Sequence, residues 1–542
     1  MAKDAKSTDP KKELEGEAID RLRDARRWKE LWVIDFREAY FFSAPHRQRQ
    51  VSSSTKPPVQ RLLDAPELQT SCGFEWTGDF VTEVVNTYMP EAQNWCERGP
   101  GMFISPDMFK QVQDQVRKQD KQIFEAIKAS NLYPEIAKAF NPDLAIGTVA
   151  LWIDMRRPHL PIEVMACPLR ELEVNIGPGG LIDDRFVIRY TKYRYVRSLL
   201  PKDVTLPKKV TEAILDQPNA SCDIKWGFWR LWDEDEETWQ HTVQVNDDLV
   251  HDARCVGEGS CPLIVGRWNA TSDWPWGYGP LIQTLPDLRQ IDELEGRKID
   301  VIDRNLDPPL GYPDDSFSHV EQGVENGMAY PIRVGSENAI KPLYGQVNVE
   351  SAMLEHQEME KRGKRLFYID YPEQRGDTPP TLGQWLDELA RAQRRIGTPG
   401  LPFWREVPAQ IFLRFKYLLE KMGTIPPIVV DGRAISLRPY NPAQRAAEQQ
   451  EIATATQFAQ IMAQMFPEEW KAVVDGRETM KAFMEKMRVS GLIQLRDADQ
   501  VNQFVQQIAP LIAGRERPGA PTLAGGGAVP AAGGPGGAVP PR

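Results

Sequence analysis

The chain has 542 residues, 77 of them acidic and 66 basic, for a formal net charge of −11. With 41% hydrophobic and 26% charged residues it can bury a sizeable core, which excludes global disorder. At roughly 150 residues per domain there is length for three or four domains or one elaborate subunit. The acidic balance argues against nonspecific wrapping of nucleic acid by the whole surface but leaves room for a local basic patch. No stretch approaches about 18 consecutive apolar residues, so no membrane span is expected. The N-terminal MAKDAKSTDPKKELEGE lacks the apolar core of a signal peptide, which predicts a protein that works inside a cell.

Residues 11–47 read as a long helix with Leu14, Leu22, Trp28, Leu31, Trp32 and Phe36 on an apolar side. Val51 to Pro58, rich in Ser, Thr and Pro, reads as a linker. Ser105 as cap, Pro106 at the first helical position and Asp107 against the dipole predict a helix to about Ser130. Leu132–Phe140 gives a shorter helix stopped by Asn141-Pro142. Ile162–Ile176 and Phe186–Val196 are β-type runs joined by the turn Gly177-Pro178-Gly179-Gly180. WGFWRLW (226–232) and TWQHTVQV (238–245) flank Asp233 to Glu237, the pattern of a hairpin around an acidic loop.

From Gly277 the pattern turns helical, with Leu281, Leu285, Leu288, Ile291, Leu294 and Val301 at mostly three- and four-residue steps. Pro286 sits near its start and Asp307-Pro308-Pro309 stops it. Residues 310–347 hold short β-type pieces such as MAYPIRV, and a second helix follows from Val349 to about Ile369. YPEQRGDTPP (371–380) must be a loop. Thr381–Ile396 is helical, Thr398-Pro399-Gly400 interrupts it, and Phe403–Met422 resumes it with a kink at Pro408. Pro442 to about Met465 is another helical block, shorter helices reach Ile512, and the Gly/Ala/Pro stretch from Gly514 carries no apolar pattern.

Signals for chemistry are weak. There is no phosphate-cradling Gly-x-x-x-x-Gly-Lys-Ser/Thr loop, no Gly-x-Ser-x-Gly elbow and no His-Glu-x-x-His helix. The six cysteines, Cys72, Cys96, Cys167, Cys222, Cys255 and Cys261, form no Cys-x-x-Cys pair. His251, Cys255 and Cys261 could hold a metal but lack a fourth ligand at a usual spacing, so free thiols are expected. The five carboxylates at 233–237 read either as a divalent-cation site or, more readily, as a solvated turn. The 15 tryptophans fit core and subunit contacts better than stacking on a ligand. Neither an enzyme nor a cofactor is indicated.

One block is distinctive. RWNATSDWPWGYGPLIQTLPDLRQIDELEGRKIDVIDRNLDPPLGYPDD has a Tyr-Gly-Pro entry (Tyr278 to Pro280, with Trp276-Gly277 ahead), a Leu-Pro-Asp turn (Leu285 to Asp287), a long helix and a Pro-Pro exit at Asp307 to Pro309. It resembles the signature region of the head-to-tail connector, or portal, proteins of short-tailed (podovirus-type) bacteriophages. AIGTVALWID (145–154) resembles that family's Gly-Thr strand, VIRYTKY (187–193) its Arg-containing strand, and the stretch from Thr378 to Gly423 its long kinked helix pair. The likeness covers roughly residues 100–465.

The resemblance implies an α+β, mainly α subunit assembled as a ring, usually of twelve copies. Residues 1–276 would be N-terminal helices and a β-rich wing, 277–306 a first stem helix, 307–347 a clip and 348–370 a second stem helix. Residues 371–380 would be a channel loop, 381–425 a kinked wing and crown helix, 426–513 a helical crown and 514–542 a disordered tail. It further implies a virion location at the capsid's portal vertex, after assembly in the host bacterial cytoplasm. The ring would pass double-stranded DNA without reading its sequence, in packaging and in ejection. Its partners would be the terminase large subunit, tail adaptor and tube proteins, and major capsid and scaffolding proteins. Candidate DNA contacts in the channel are Lys361, Arg362, Lys364, Arg365, Arg375, Arg297 and Lys298, with Arg304 in the same position. Each could equally be tied up in ion pairs with Glu355, Glu358, Glu360 or an adjacent subunit. The channel loop would comprise Tyr371, Pro372, Glu373, Gln374, Arg375, Gly376 and Asp377, and the clip would dock motor and tail through Tyr312, Phe317, His319, Tyr330 and Arg333. Two other readings stay open: a virus-associated metal-dependent hydrolase or nuclease using loop 233–237, and a non-viral scaffold that binds partners with its helices.

Overall fold

A computed structural model describes residues 10–47, 68–99, 106–155, 160–200, 204–307, 310–314, 328–333, 341–342, 350–369, 395–397, 399–428, 437–439, 454–461, 464–465 and 479–480. They fall in two units, Met1–Ala447 and Glu448–Arg542. In the second, residues 454–461, 464–465 and 479–480 are helical. All described strands lie in the first.

Helix α1 spans Pro10–Ser43. Its first half lays Ala18, Leu22 and Ala25 on Phe186, Ile188 and Trp229, and its second half meets Trp274 and Trp276 through Trp28, Trp32 and Phe36. Leu31, expected on that side, is 65% exposed. The packed stripe runs through 28, 32 and 36, and at about 100° per residue position 31 is turned well away from it. The ammonium of Lys29 is buried, donating to the carbonyls of Arg170 and Leu172 (3.1 and 2.8 Å) and to the Glu173 carboxylate at 3.2 Å.

Helix α2 (Cys72–Tyr88) was not anticipated, although Trp76, Phe80 and Val84 repeat at four-residue steps and are all buried. Strand β1 (Cys96–Arg98) precedes α3 (Pro106–Ala129), which starts at the expected proline; Ser105, its suggested cap, lies outside the described residues. Helix α4 is Leu132–Phe140, as its pattern indicates, and the single turn α5 (Asp143–Ile146) follows.

Next come β2 (Thr148–Asp154), β3 (Glu163–Cys167), β4 (Leu172–Ile176) and β5 (Ile182–Lys192). The run 162–176 is therefore two strands, parted by a 3₁₀ turn at Leu169–Glu171 after Pro168. The strand expected to reach Val196 stops at Lys192. From there burial follows three- and four-residue steps, Tyr193, Val196 and Leu200, and the chain coils into α6 (Tyr193–Leu199), then α7 (Lys208–Asp216). Strands β6 (Ser221–Leu231) and β7 (Thr238–Val245) form the expected hairpin, closing at the pair Leu231–Thr238, and β8 (Asp248–Val256) and β9 (Leu263–Arg267) follow.

The remaining elements are α8 (Pro280–Leu306), β10 (Leu310–Asp314), β11 (Ala329–Arg333), β12 (Lys341–Pro342), α9 (Glu350–Leu366), α10 (Pro408–Lys421) and β13 (Leu437–Pro439). Ahead of α10, residues 399–406 are helical, and the chain breaks at Val407 just before Pro408, where the kink was expected. Pro399 and Gly400, expected to interrupt the helix, are themselves helical, and Thr398 lies outside the described residues. Gly400 sits where the Tyr88 hydroxyl, hydrogen-bonded to the Ile396 carbonyl at 3.0 Å, leaves no room for a Cβ.

Strand order is β4-β5-β6-β7-β8 in the largest sheet, β3-β2-β9 in a second, β11-β10-β12 in a third, and β1-β13 as a pair. Pairing is antiparallel except between β10 and β11. The first two sheets share one core: Trp152 of β2 meets Trp226 and Phe228 of β6 at centroid distances of 5.8 and 5.3 Å. Alternation along β6 sends Trp226 and Phe228 into that core and Trp229 the other way, beneath α1. Burying one such ring stabilises the fold by roughly 1.5–3 kcal/mol, so the two faces of β6 bind sheet, core and α1 together.

Candidate functional site: a pair of long helices

Helices α8 and α9 pack against each other, and each is buried at one end only. Leu281, Leu285, Leu288 and Ile291 of α8 lie in the core, as do Met359 of α9 and Phe367 just beyond it. Toward the opposite ends, Ile299, Ile302 and Leu306 of α8 and Met353 and Leu354 of α9 are exposed, Leu306 by 79%. At 1.5 Å per residue α8 is about 40 Å long, so half of it lacks a core of its own. The chain between the two exposed ends carries β10, β11 and β12.

The rooted ends are fixed closely. The backbone at Gly277 and Gly279 runs against that of Ile146 to Thr148: Gly277 N donates to the Thr148 hydroxyl (2.9 Å), Gly279 N to the Ile146 carbonyl (2.9 Å), and Trp268 N to the Gly147 carbonyl (2.8 Å). A Cβ on Gly277 would lie 2.0 Å from the Gly147 oxygen, and Gly147 has φ +136°. The Tyr-Gly-Pro and Gly-Thr stretches picked out in the sequence thus touch, and together they set the direction in which α8 leaves the body. Asp292 accepts from the amides of Gln69 (2.7 Å) and Thr70 (3.1 Å), and Arg289 pairs with Glu38 of α1. At the root of α9, Gly363 sits under the Trp76 ring, and Phe367 meets Trp76 and Phe80 at 5.8 and 6.1 Å.

Cross-links tie the two helices. His356 Nε2 lies 3.1 Å from Glu295 Oε1, the same carboxylate that Lys298 reaches at 3.1 Å, and Arg362 lies 3.6 Å from Asp287. Arg297 pairs with Glu293, and Lys364 approaches Glu360 at 3.9 Å. Of the basic residues singled out in the sequence, Arg297, Lys298, Arg362 and Lys364 therefore have carboxylates within their own subunit; the Asp287 and Glu295 partners left no trace in the sequence pattern. Lys361 and Arg365 are exposed on α9, and Arg304 on the exposed half of α8. Tyr312 is on β10 opposite Pro331; Tyr330 and Arg333 are on β11 opposite Gly311 and Asp314. Phe317, His319, Arg375 and the whole of Tyr371 to Asp377 lie outside the described residues.

The acidic hairpin loop does not gather into a cation site. Glu234 pairs with Arg254 (3.0 Å) and Glu237 with Arg230 (2.7 Å). Among the described residues no three His, Cys, Asp or Glu side chains are placed to hold a metal. Burial pushes the Cys255 thiol up to about 11 and raises that of Cys261, while burial, then the neighbouring His251 and Arg414 charges, push His241 down to about 3. No described helix is long and apolar enough to cross a membrane.

The family model for the bacteriophage head to tail connecting protein matches residues 15–491. The chain belongs to that family. The matched span takes in α1 from residue 15, α2 through α10 and every described strand, so the α8–α9 pair lies within a connector chain. Two solved structures with similar chains are the virion of a native gene transfer agent (GTA) particle and the neck of an empty GTA particle computed with C6 symmetry. The first is 12% identical over 73% of this chain and 87% of that one, the second 14% identical over 76% and 95%, each with a TM-score of 0.31. No curated protein matches the chain.

Proposed function

We propose that this connector is a phage portal protein, a ring of about twelve copies at one capsid vertex through which DNA enters the head and leaves it. The observation that carries the reading is the exposed apolar half of the α8–α9 pair. Isoleucine, leucine and methionine side chains on two projecting helices need neighbours, and closed heterologous contacts around a ring supply them without leaving an open end. In this assignment residues 1–276 form helices and wing, 277–306 and 348–370 the stem, and 307–347 a clip that meets terminase and tail proteins. Residues 371–380 form the channel loop, 381–425 the kinked wing and crown helix, 426–513 the crown and 514–542 a loose tail.

The chain's charge suits a conduit. Twelve copies at −11 each give on the order of −130, which keeps DNA from adhering to the ring as a whole. Arg304 and Lys361 then offer phosphate contacts that carry no base information. Catalysis has no part in this reading; ATP hydrolysis belongs to the packaging motor. Electron-microscope class averages of the purified chain test it: rings with a central hole support it, and particles with no ring at any concentration refute it.

A further inference from the structure

We infer that the excursion between β5 and β6 carries a second, peripheral surface that binds the phosphate backbone of duplex DNA, separate from the α8–α9 pair. Between Lys192 and Lys209 there are six basic residues and one acidic one, in a chain whose net charge is −11. The fold turns the described residues of this run into an outward face. Val196, Leu200, Val204 and Val210 are buried beneath α6 and the start of α7, while Lys192, Arg194, Tyr195, Arg197, Lys208 and Lys209 stand outside. The cations come from the end of β5 and from α6 and α7, two helices that contact each other.

The Arg194 guanidinium lies over the Tyr195 ring at 4.6 Å, and the ring itself is 47% exposed. Stacking fixes the plane of the guanidinium, so less freedom is lost when it takes a phosphate oxygen in two-point contact. Arg197 is steadied by donating to the Val204 carbonyl at 2.7 Å. Carboxylates on the described part of this surface include Glu212 and Asp216 on α7, both exposed, and Asp248, 3.9 Å from Lys209, while Asp203 lies outside the described residues; exposed pairs of this kind are weak and yield to a polyanion. A protein partner fits less well, because protein interface cores are depleted in lysine and this face is lysine-rich. The surface goes beyond the conduit reading and does not require a ring.

The test is binding of the full-length chain to a short fluorescent DNA duplex across a salt series. Lys192→Gln/Arg194→Gln/Lys208→Gln/Lys209→Gln is expected to weaken binding about tenfold or more and to flatten the log–log salt slope by about 3–4. Lys208→Glu/Lys209→Glu, confined to exposed α7 positions, gives the same direction in a second variant, and melting curves confirm that both fold. Lys118→Gln/Lys121→Gln, at exposed positions of α3, should leave this binding unchanged. Unaltered affinity and slope in the folded surface variants would overturn the proposal. So would loss of binding to polyglutamate, an acidic-protein mimic, with duplex binding intact.

Discussion

Arg267 and Glu406, 139 positions apart, form an ion pair at 2.6 Å with the arginine side chain almost wholly buried. The guanidinium also donates to the carbonyls of Gly180, Trp274 and Thr271, at 3.0, 2.9 and 3.4 Å, and Glu406 accepts from the Arg267 amide at 2.8 Å. One residue thus ties the end of β9, the 177–181 turn, the approach to α8 and the helical segment before α10. Glu406→Ala leaves a buried guanidinium with carbonyl partners only. It should cost about 3–5 kcal/mol in denaturant unfolding; a cost below about 1 kcal/mol would show that the carbonyls suffice.

Gly277→Ala should be poorly tolerated, because its new methyl would meet the Gly147 carbonyl at 2.0 Å and one backbone must move. Gly296, inside α8 with only the Gln69 side chain within 4 Å, offers the contrast. Gly296→Ala should be neutral or gain up to about 1 kcal/mol from helix propensity. Melting temperatures of the two variants check the pair together, with Gly277→Ala falling below the parent and Gly296→Ala level with it or above.

His241 gives the fold an acid-sensitive element. Its ring stacks on Phe228 at 4.4 Å, and its proton affinity is lowered to about 3 from the ordinary 6.5. Between those values the unfolded chain holds a proton that the native state refuses. Stability from this residue is therefore full above about pH 6.5 and declines as pH falls toward 3, by about 2 kcal/mol at pH 5. His251, also lowered by burial, acts in the same sense. Urea unfolding at pH 7 and pH 5 should show that His241→Phe loses about 2 kcal/mol less than the parent; equal losses would contradict the assignment.

Much of this architecture was legible in the sequence because local spacing governs it. The helices at Pro106–Ala129 and Leu132–Phe140 and the hairpin around 233–237 follow from proline punctuation and from the change between periods of 3.6 and 2. Strand β5 was overrun by four residues, since Tyr193 to Val196 suits strand and helix equally by composition and only the packing of Val196 and Leu200 decides. Leu31 was placed inside because an apolar residue near a stripe looks like part of it. The site was less legible. That Gly147 lies against Gly277, or that Asp287 and Glu295 meet Arg362 and His356, depends on elements far apart in the chain.

The basic residues on α9 separate two roles. Lys361→Gln/Arg362→Gln/Lys364→Gln/Arg365→Gln should leave assembly intact, since the Arg362 and Lys364 pairs are exposed and worth little. Phage particles carrying it should package or retain less DNA. Normal DNA content in such particles would remove the phosphate-contact role.

The exposed ends of α8 and α9 carry the central claim, and electron-microscope class averages of the purified chain and of Ile302→Glu/Leu306→Glu test it most directly. Rings around an open hole for the parent, and folded single subunits for the variant, are the predicted result. A parent that stays a solitary particle at every concentration, or a variant that forms the same rings, would contradict it.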